Sequence, residues 1–220
     1  MIKSMLFIFV IVLFVLILKN HKKIKIYWKS FKYKSTPLLD DRHGVYLIHG
    51  KQGSNKSYFA TQFILQQNKD FKVIKTNVKS LNIPGYKIEY FTKINEITQD
   101  TEEYCIYLID EISRKYKKED KTDQQFYAWL NQSRKRKRIV ILITQELKEV
   151  PMWLRRPVRF TFETRPLIFG LFYTLMGDGY NLTLNKDTLD WEAPILKIFI
   201  YKRNVYIANM YDTFEPIQDL

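Results

Sequence analysis

Five runs along the chain are almost uninterrupted in apolar and β-favouring residues: "VYLIH" (45–49), "FKVIKT" (71–76), "YCIYLID" (104–110), "RIVILIT" (138–144) and "VRFTFET" (158–164). They do not alternate with polar positions, so they predict strands covered on both faces, as in a parallel sheet flanked by helices. Helices are predicted between them. "SYFATQFILQQN" brings Phe59, Phe63 and Ile64 near one face and ends near Asn68, "KINEI" suits a short helix, and "FYAWLNQSRKRK" a longer one. "NVKSLNIPGYKIEYF" reads as irregular around a Pro84-Gly85 turn, and "PLIFGLFYTLMG" (166–177) as a core segment too short to cross a bilayer. The last pattern, "ILKIFIYKRNVYIANMYD", predicts a β-hairpin around Lys202 to Asn204.

One further apolar run stands apart. "MLFIFVIVLFVLIL", Met5 to Leu18, carries no charge, and with Lys3 free to reach the interface residues 1–18 are just long enough for a membrane-spanning helix. No small-residue cleavage site comes after it, which favours an uncleaved anchor over a signal peptide. Seven lysines without an acid lie between residues 19 and 34, interleaved with Tyr27, Trp28, Phe31 and Tyr33. This pattern predicts a basic linker (19–40) on anionic headgroups, with the globular part (41–220) kept cytoplasmic beneath a host inner or plasma membrane.

Charge then divides unevenly. The chain holds 36 Lys and Arg against 23 Asp and Glu, but eight of the basic residues lie in 1–34, and "RKRKR" (134–138) supplies five more. The globular part is therefore near neutral apart from one basic cluster, which excludes a broad nucleic-acid-binding face but not a local one. The single cysteine, Cys105, excludes a disulfide framework and a thiolate metal cluster. Three histidines without ligand spacing offer no metal site, and His49 reads as structural.

The candidate chemistry sits at the ends of the apolar runs. After "VYLIH" comes Gly50-Lys51-Gln52-Gly53-Ser54-Asn55-Lys56-Ser57 and then a helix. A strand, a glycine-bearing turn and a helix N-terminus place backbone N–H groups and a partial positive charge around a phosphate. Lys56 would reach the β- and γ-phosphates, and the Ser57 hydroxyl would bind Mg²⁺. Asn55 stands where such loops carry their second glycine, so on its own the stretch also reads as a polar turn; Asn is the mildest replacement because it tolerates left-handed backbone. Asp110 and Glu111 end a second apolar run, where an ATPase needs one acid for the Mg²⁺ shell and one to polarise the attacking water. Gln145 tips a third, either as a γ-phosphate sensor or as the cap of the next helix.

Together, "GKQGSNKS", "YLIDE", "FYAWLNQSRKRKRIVILITQ", "VPMWLRRPV" and "MYDT" resemble the zonular occludens toxin (Zot) family, which includes the assembly ATPases of filamentous phages. The resemblance covers residues 44 to 213. It implies a P-loop NTPase fold and a homo-oligomeric ring in the inner membrane that uses ATP to move single-stranded phage DNA into an extruding virion, in company with phage coat proteins. Glu111, Gln145 and Arg134 would then be catalytic, Arg134 as an arginine supplied to the neighbouring subunit. Arg136, Arg138, Arg155 and Arg156 would complete a neighbour's site or touch DNA phosphates; a solvated basic helix end fits them equally well. Asn55 and the N-terminal position of the anchor depart from the family pattern. Two other readings stay open: a related hexameric DNA translocase or packaging ATPase, and a membrane scaffold that binds nucleotide without turnover.

Overall fold

The computed structural model describes residues 43–67, 70–167, 170–185 and 190–211. The predicted anchor (1–18) and basic linker (19–40) lie outside them; among the described residues no helix is long and apolar enough to cross a membrane. The domain is built on an eight-stranded sheet in the order β10-β7-β6-β1-β5-β4-β2-β3.

Six of those strands are parallel: β1 (Gly44–His49), β2 (Val73–Thr76), β3 (Lys87–Tyr90), β4 (Cys105–Ile109), β5 (Ile139–Thr144) and β6 (Val158–Pro166). The continuous apolar runs arise from burial on both faces. On one face Tyr46, Ile48, Ile106, Leu108, Ile141 and Ile143 pack with Phe59, Phe63 and Ile64 of α1 (Lys56–Leu65). The alternate residues Val45, Leu47, Tyr107, Ile109, Val140 and Leu142 meet α2 (Ile94–Thr98), α4 (Gln124–Gln132) and α5 (Met152–Arg155) on the other. Between β4 and α4 runs the short α3 (Ile112–Lys115). Strand β5 lies between β1 and β4, so the strand carrying the glycine loop and the strand ending in acids are separated by one neighbour.

Several sequence expectations are revised. The irregular stretch after residue 77 contains strand β3, which an edge position and four residues made hard to recognise. Helix α1 stops at Leu65, before Asn68, and α4 stops at Gln132, so "RKRK" forms a turn rather than a helix end. The segment expected as core filler is β7 (Leu171–Asp178), antiparallel to β6, and β10 (Ile195–Lys202) pairs antiparallel with β7. A small ribbon of β8 (Thr183–Leu184) and β9 (Trp191–Glu192) lies between them in sequence.

The C-terminal hairpin is absent: α6 (Val205–Ala208) replaces its second arm. Asn204 turns the chain by accepting the Tyr206 N–H at 2.8 Å, and its own N–H donates to the Tyr58 hydroxyl at 3.1 Å. Tyr58 in turn stacks on Tyr201, with ring centroids 5.7 Å apart and planes 11° apart. Helix α1 is thus buried by the sheet on one side and by the chain's last described turn on another, which explains apolar positions around most of its circumference.

Candidate nucleotide-binding site

At the carboxyl ends of the parallel strands, residues 50–57 turn from β1 into α1. The Gly50 N–H donates to the Gln145 carbonyl at 3.1 Å, tying the loop to the tip of β5. A Cβ on Gly50 would stand 2.5 Å from the Thr164 carbonyl oxygen and 2.6 Å from Ser54 Oγ, so only glycine fits. Ser54 is buried beneath the loop, its hydroxyl 2.9 Å from that of Thr164 on β6.

Two loop residues are left-handed: Gly53 at φ 76° and Asn55 at φ 70°. Asn55 therefore takes the backbone angles a glycine would take there, and asparagine is among the side chains that tolerate them best. Its carbonyl accepts the Phe59 N–H at 2.9 Å and starts α1, while its buried Nδ2 meets no hydrogen-bond acceptor.

Lys56 folds back across the loop and donates to the Gly50 carbonyl at 2.8 Å and the Lys51 carbonyl at 3.3 Å. Burial lowers its pKa, while the charges of Asp110 and Glu111 pull it back up, so lysine and acids share one neighbourhood. The hydroxyl-bearing Ser57 lies in the first turn of α1, and Lys51, Gln52 and Gly53 are exposed on the loop's outer side.

Asp110, one residue past β4, is held on every polar atom. Its N–H donates to Asn77 Oδ1 at 2.8 Å, and its carbonyl accepts from Asn77 Nδ2 at 3.1 Å. One carboxylate oxygen accepts the Glu111 N–H at 2.8 Å, and the other accepts the hydroxyl of Tyr211. Burial raises the Asp110 pKa, and the Tyr211 and Glu111 donors oppose that rise. Glu111 itself is left-handed at φ 50°, and its carboxylate pairs with the Arg114 guanidinium.

Gln145 leaves β5 with an exposed side chain beside the loop. His49, the last residue of β1, pairs in register with Thr144 and Glu163; burial keeps it neutral and lowers its pKa to about 4. Next to the loop opens a cavity of about 1290 Å³, walled by Gly50 to Gln52, Glu163, Arg165, Tyr173 and Trp191, ample for a mononucleotide. Arg165 is paired with Glu163 at its rim.

These residues fit a magnesium-bound nucleoside triphosphate. The loop is shaped for close approach, Lys56 has only loop carbonyls to give up, and the Asp110 carboxylate is aimed by three neighbours. Among the described residues no cluster of His, Cys, Asp or Glu could hold a metal by itself. Cys105 is an inert core residue, its thiol pushed up to about 12 by burial and by Glu102.

The arginines do not gather here. Arg134, Arg136 and Arg138 precede β5 and therefore lie at the opposite end of the sheet, beside Gly44, roughly 20 Å away by the rise of a six-residue strand. Arg138 cannot meet DNA or a neighbouring subunit. It is 1% exposed, donates to the Glu102 carbonyl at 2.7 Å and the Asp100 carbonyl at 2.6 Å, and packs on Tyr107 and Trp129. Arg155 is likewise buried, with its guanidinium 4.4 Å from the Trp191 ring centroid. Arg134 and Arg156 are exposed, and Arg136 partly so.

Sequence reasoning missed Asn77 and Tyr211. Asn77 carries the same signal as Gln145, a polar residue at the tip of an apolar strand. Tyr211 falls within "MYDT", but nothing local to that segment points to an acid 101 residues earlier.

Residues 46–166 match the model of the ATPase family associated with various cellular activities (AAA), more than half of the chain. No curated protein sequence matches the chain. Among solved structures, the N-terminal domain of zonular occludens toxin from Neisseria meningitidis is 18% identical with a TM-score of 0.54, covering 77% of this chain and 98% of that one. The genome packaging NTPase B204 of Sulfolobus turreted icosahedral virus 2, in complex with AMPPCP, is 14% identical with a TM-score of 0.51, covering 71% of this chain and 100% of that one. At such identities what is shared is the fold.

Proposed function

The chain belongs to the AAA family of ATPases, and from that premise we propose that it is a membrane-anchored motor driving assembly and extrusion of a filamentous phage. The observation that carries the site is the meeting of Lys56, Asp110, Glu111 and Gln145 at the ends of β1, β4 and β5. Residues 50–56 and Ser57 would hold the triphosphate, with Ser57 and Asp110 holding Mg²⁺, which when bound draws charge off the phosphoryl oxygens. Glu111, released from Arg114, would orient and deprotonate the attacking water, and Gln145 would report the terminal phosphate to the adjoining loop through the Gly50 bond. Burial denies a role in the neighbouring subunit's site to Arg138 and Arg155, and of the arginines named for it Arg134 and Arg156 are the exposed ones.

The sequence signs of an anchor, the Zot resemblance and the fold shared with the zonular occludens toxin domain support a cytoplasmic ring under a host membrane, with single-stranded DNA or a viral nucleoprotein and coat proteins as partners. A genome-packaging ATPase is the second reading, supported by the fold shared with the viral NTPase B204 over that protein's whole length. Asn55 gives a scaffold without turnover no support, since it leaves the loop's backbone in the glycine conformation.

The test is ATP turnover by the full chain in nanodiscs, with and without single-stranded DNA. Lys56→Ala should cut turnover about 100-fold, and DNA should stimulate the parent chain. Equal turnover in parent and variant would end the motor reading; turnover indifferent to single-stranded DNA but raised by duplex DNA would favour packaging.

A further inference from the structure

The end of the sheet farthest from the nucleotide loop has its own chemistry. There Gly44 opens β1 in register with Ile139 of β5, and Val45 with Val158 of β6. The turn between α4 and β5 projects Arg134, Lys135 and Lys137 into solvent. A Cβ at Gly44 would lie 3.6 Å from Arg134 Cγ and 3.7 Å from Arg159 Cδ, so both arginines flank the first residue of β1. Arg159 also donates to the His43 carbonyl at 3.3 Å.

Aromatic rings adjoin these cations. His43, Phe71 and Tyr104 form a cluster with centroids 5.6 to 6.2 Å apart, and Lys137 Nζ lies 4.8 Å from the Tyr104 centroid while donating to its hydroxyl at 2.6 Å. Among the described residues Glu103 and Asp70 are the exposed acids nearby, whereas Asp100 and Glu102 are engaged by Lys75 at 2.5 and 2.9 Å.

A basic turn is most often a solvated one, but this turn is held in shape. The Arg138 N–H bonds the Ser133 carbonyl at 2.8 Å, Lys137 is left-handed at φ 52°, and the buried Arg138 guanidinium pins the turn from within. Its cations are thereby presented outward together. His43 is also where the domain joins residues 1–42, whose first 34 residues hold eight lysines and no acid.

We propose that this end of the sheet rests on the anionic headgroups of the bilayer through Arg134, Lys135, Lys137 and Arg159, with the half-buried His43 and Tyr104 rings, backed by the buried Phe71, at the headgroup boundary. Cations within about 10 Å of an anionic surface are attracted to it, and interleaved aromatic rings suit that boundary. The domain would stand upright, its nucleotide loop a strand's length from the membrane and open to the cytoplasm. The inference rests on the anchor reading for residues 1–18 and fixes an orientation that the anchor alone leaves free.

Full chain would be incorporated into vesicles of phosphatidylcholine alone or mixed with phosphatidylglycerol, and tryptic cleavage after residues 134–137 followed by mass spectrometry. Cleavage there should slow about tenfold in the anionic vesicles, with high salt restoring it and cleavage after Lys51 unchanged. Equal rates in both vesicles overturn the proposal. So does protection by single-stranded DNA but not by anionic lipid, which would make the turn a nucleic-acid contact. If the chain does not float with phosphatidylcholine vesicles, the anchor reading alone fails. Flotation with phosphatidylglycerol vesicles then decides: a triple variant Arg134→Gln, Lys135→Gln, Lys137→Gln should float less than the parent, and equal flotation overturns the proposal.

Discussion

The two ends of the parallel strands use charge in opposite ways. At the carboxyl ends, Lys56, Asp110 and Glu111 are drawn into one partly buried neighbourhood, held by loop carbonyls, Asn77, Tyr211 and Arg114. At the amino ends the only deeply buried cation of the basic run, Arg138, is fully engaged by the fold, and its neighbours Arg134, Lys135 and Lys137 face water. The same sheet thus concentrates convertible charge, whose partners are replaceable by a ligand, at one end. At the other end it commits one arginine to structure and displays the rest.

The largest effect should come from the structural arginine. Arg138→Ala leaves two part-buried carbonyls without donors and removes packing on two rings, and should cost about 3 kcal/mol in a denaturant titration. Lys135→Ala, three residues away, should stay within about 0.5 kcal/mol. Similar losses for both would dissolve the contrast between buried and displayed cations.

A pH titration of stability probes the carboxyl end. The unfolded His49 imidazole takes its proton near pH 6.5 and the folded one not until about pH 4. Between those values the unfolded state binds more protons, so stability falls as pH is lowered through that window, by on the order of 3 kcal/mol. Asp110, whose pKa burial raises, works in the other sense, so the quantity to read is the parent chain against His49→Gln, which should lose less on acidification. Parallel curves would remove His49 from the pH response.

Tyr211→Phe keeps the ring and removes the donor to Asp110. It should lower stability by about 1 kcal/mol, leave metal-free nucleotide binding nearly unchanged, and weaken Mn²⁺ binding in the presence of a non-hydrolysable ATP analogue about tenfold. An unchanged Mn²⁺ affinity would confine Tyr211 to packing. The smallest effect belongs to Asn55→Gly: because the backbone angles are already those of glycine, nucleotide affinity should move by no more than about twofold. A larger loss would reveal a ligand for the buried Nδ2.

The legible part of the site is the local part. The loop from Gly50 to Ser57, the acid pair after β4 and the tip of β5 each announce themselves within about ten residues, because a strand end, a tight turn and a helix start are specified by neighbouring side chains. Arg138 and Arg134 are four residues apart in one run, and nothing in that run says which is swallowed by the fold. That depended on the carbonyls of residues 100 and 102, which precede β4 and α4 in the chain.

By itself, then, the sequence determined a parallel sheet with helices on both faces, since only strands covered twice keep apolar residues on both sides. It also pointed to a phosphate loop, once the order of strand, glycine, lysine and hydroxyl is read together with the acid-tipped and Gln-tipped runs beyond it. Tertiary structure decided the rest. It added β7 and β10 as an antiparallel extension and turned the expected hairpin into α6. It also delivered Tyr211 to Asp110 and sorted the arginines into buried and exposed. Those outcomes rest on contacts between residues far apart in the chain, and such contacts form only after the sheet order brings their elements together.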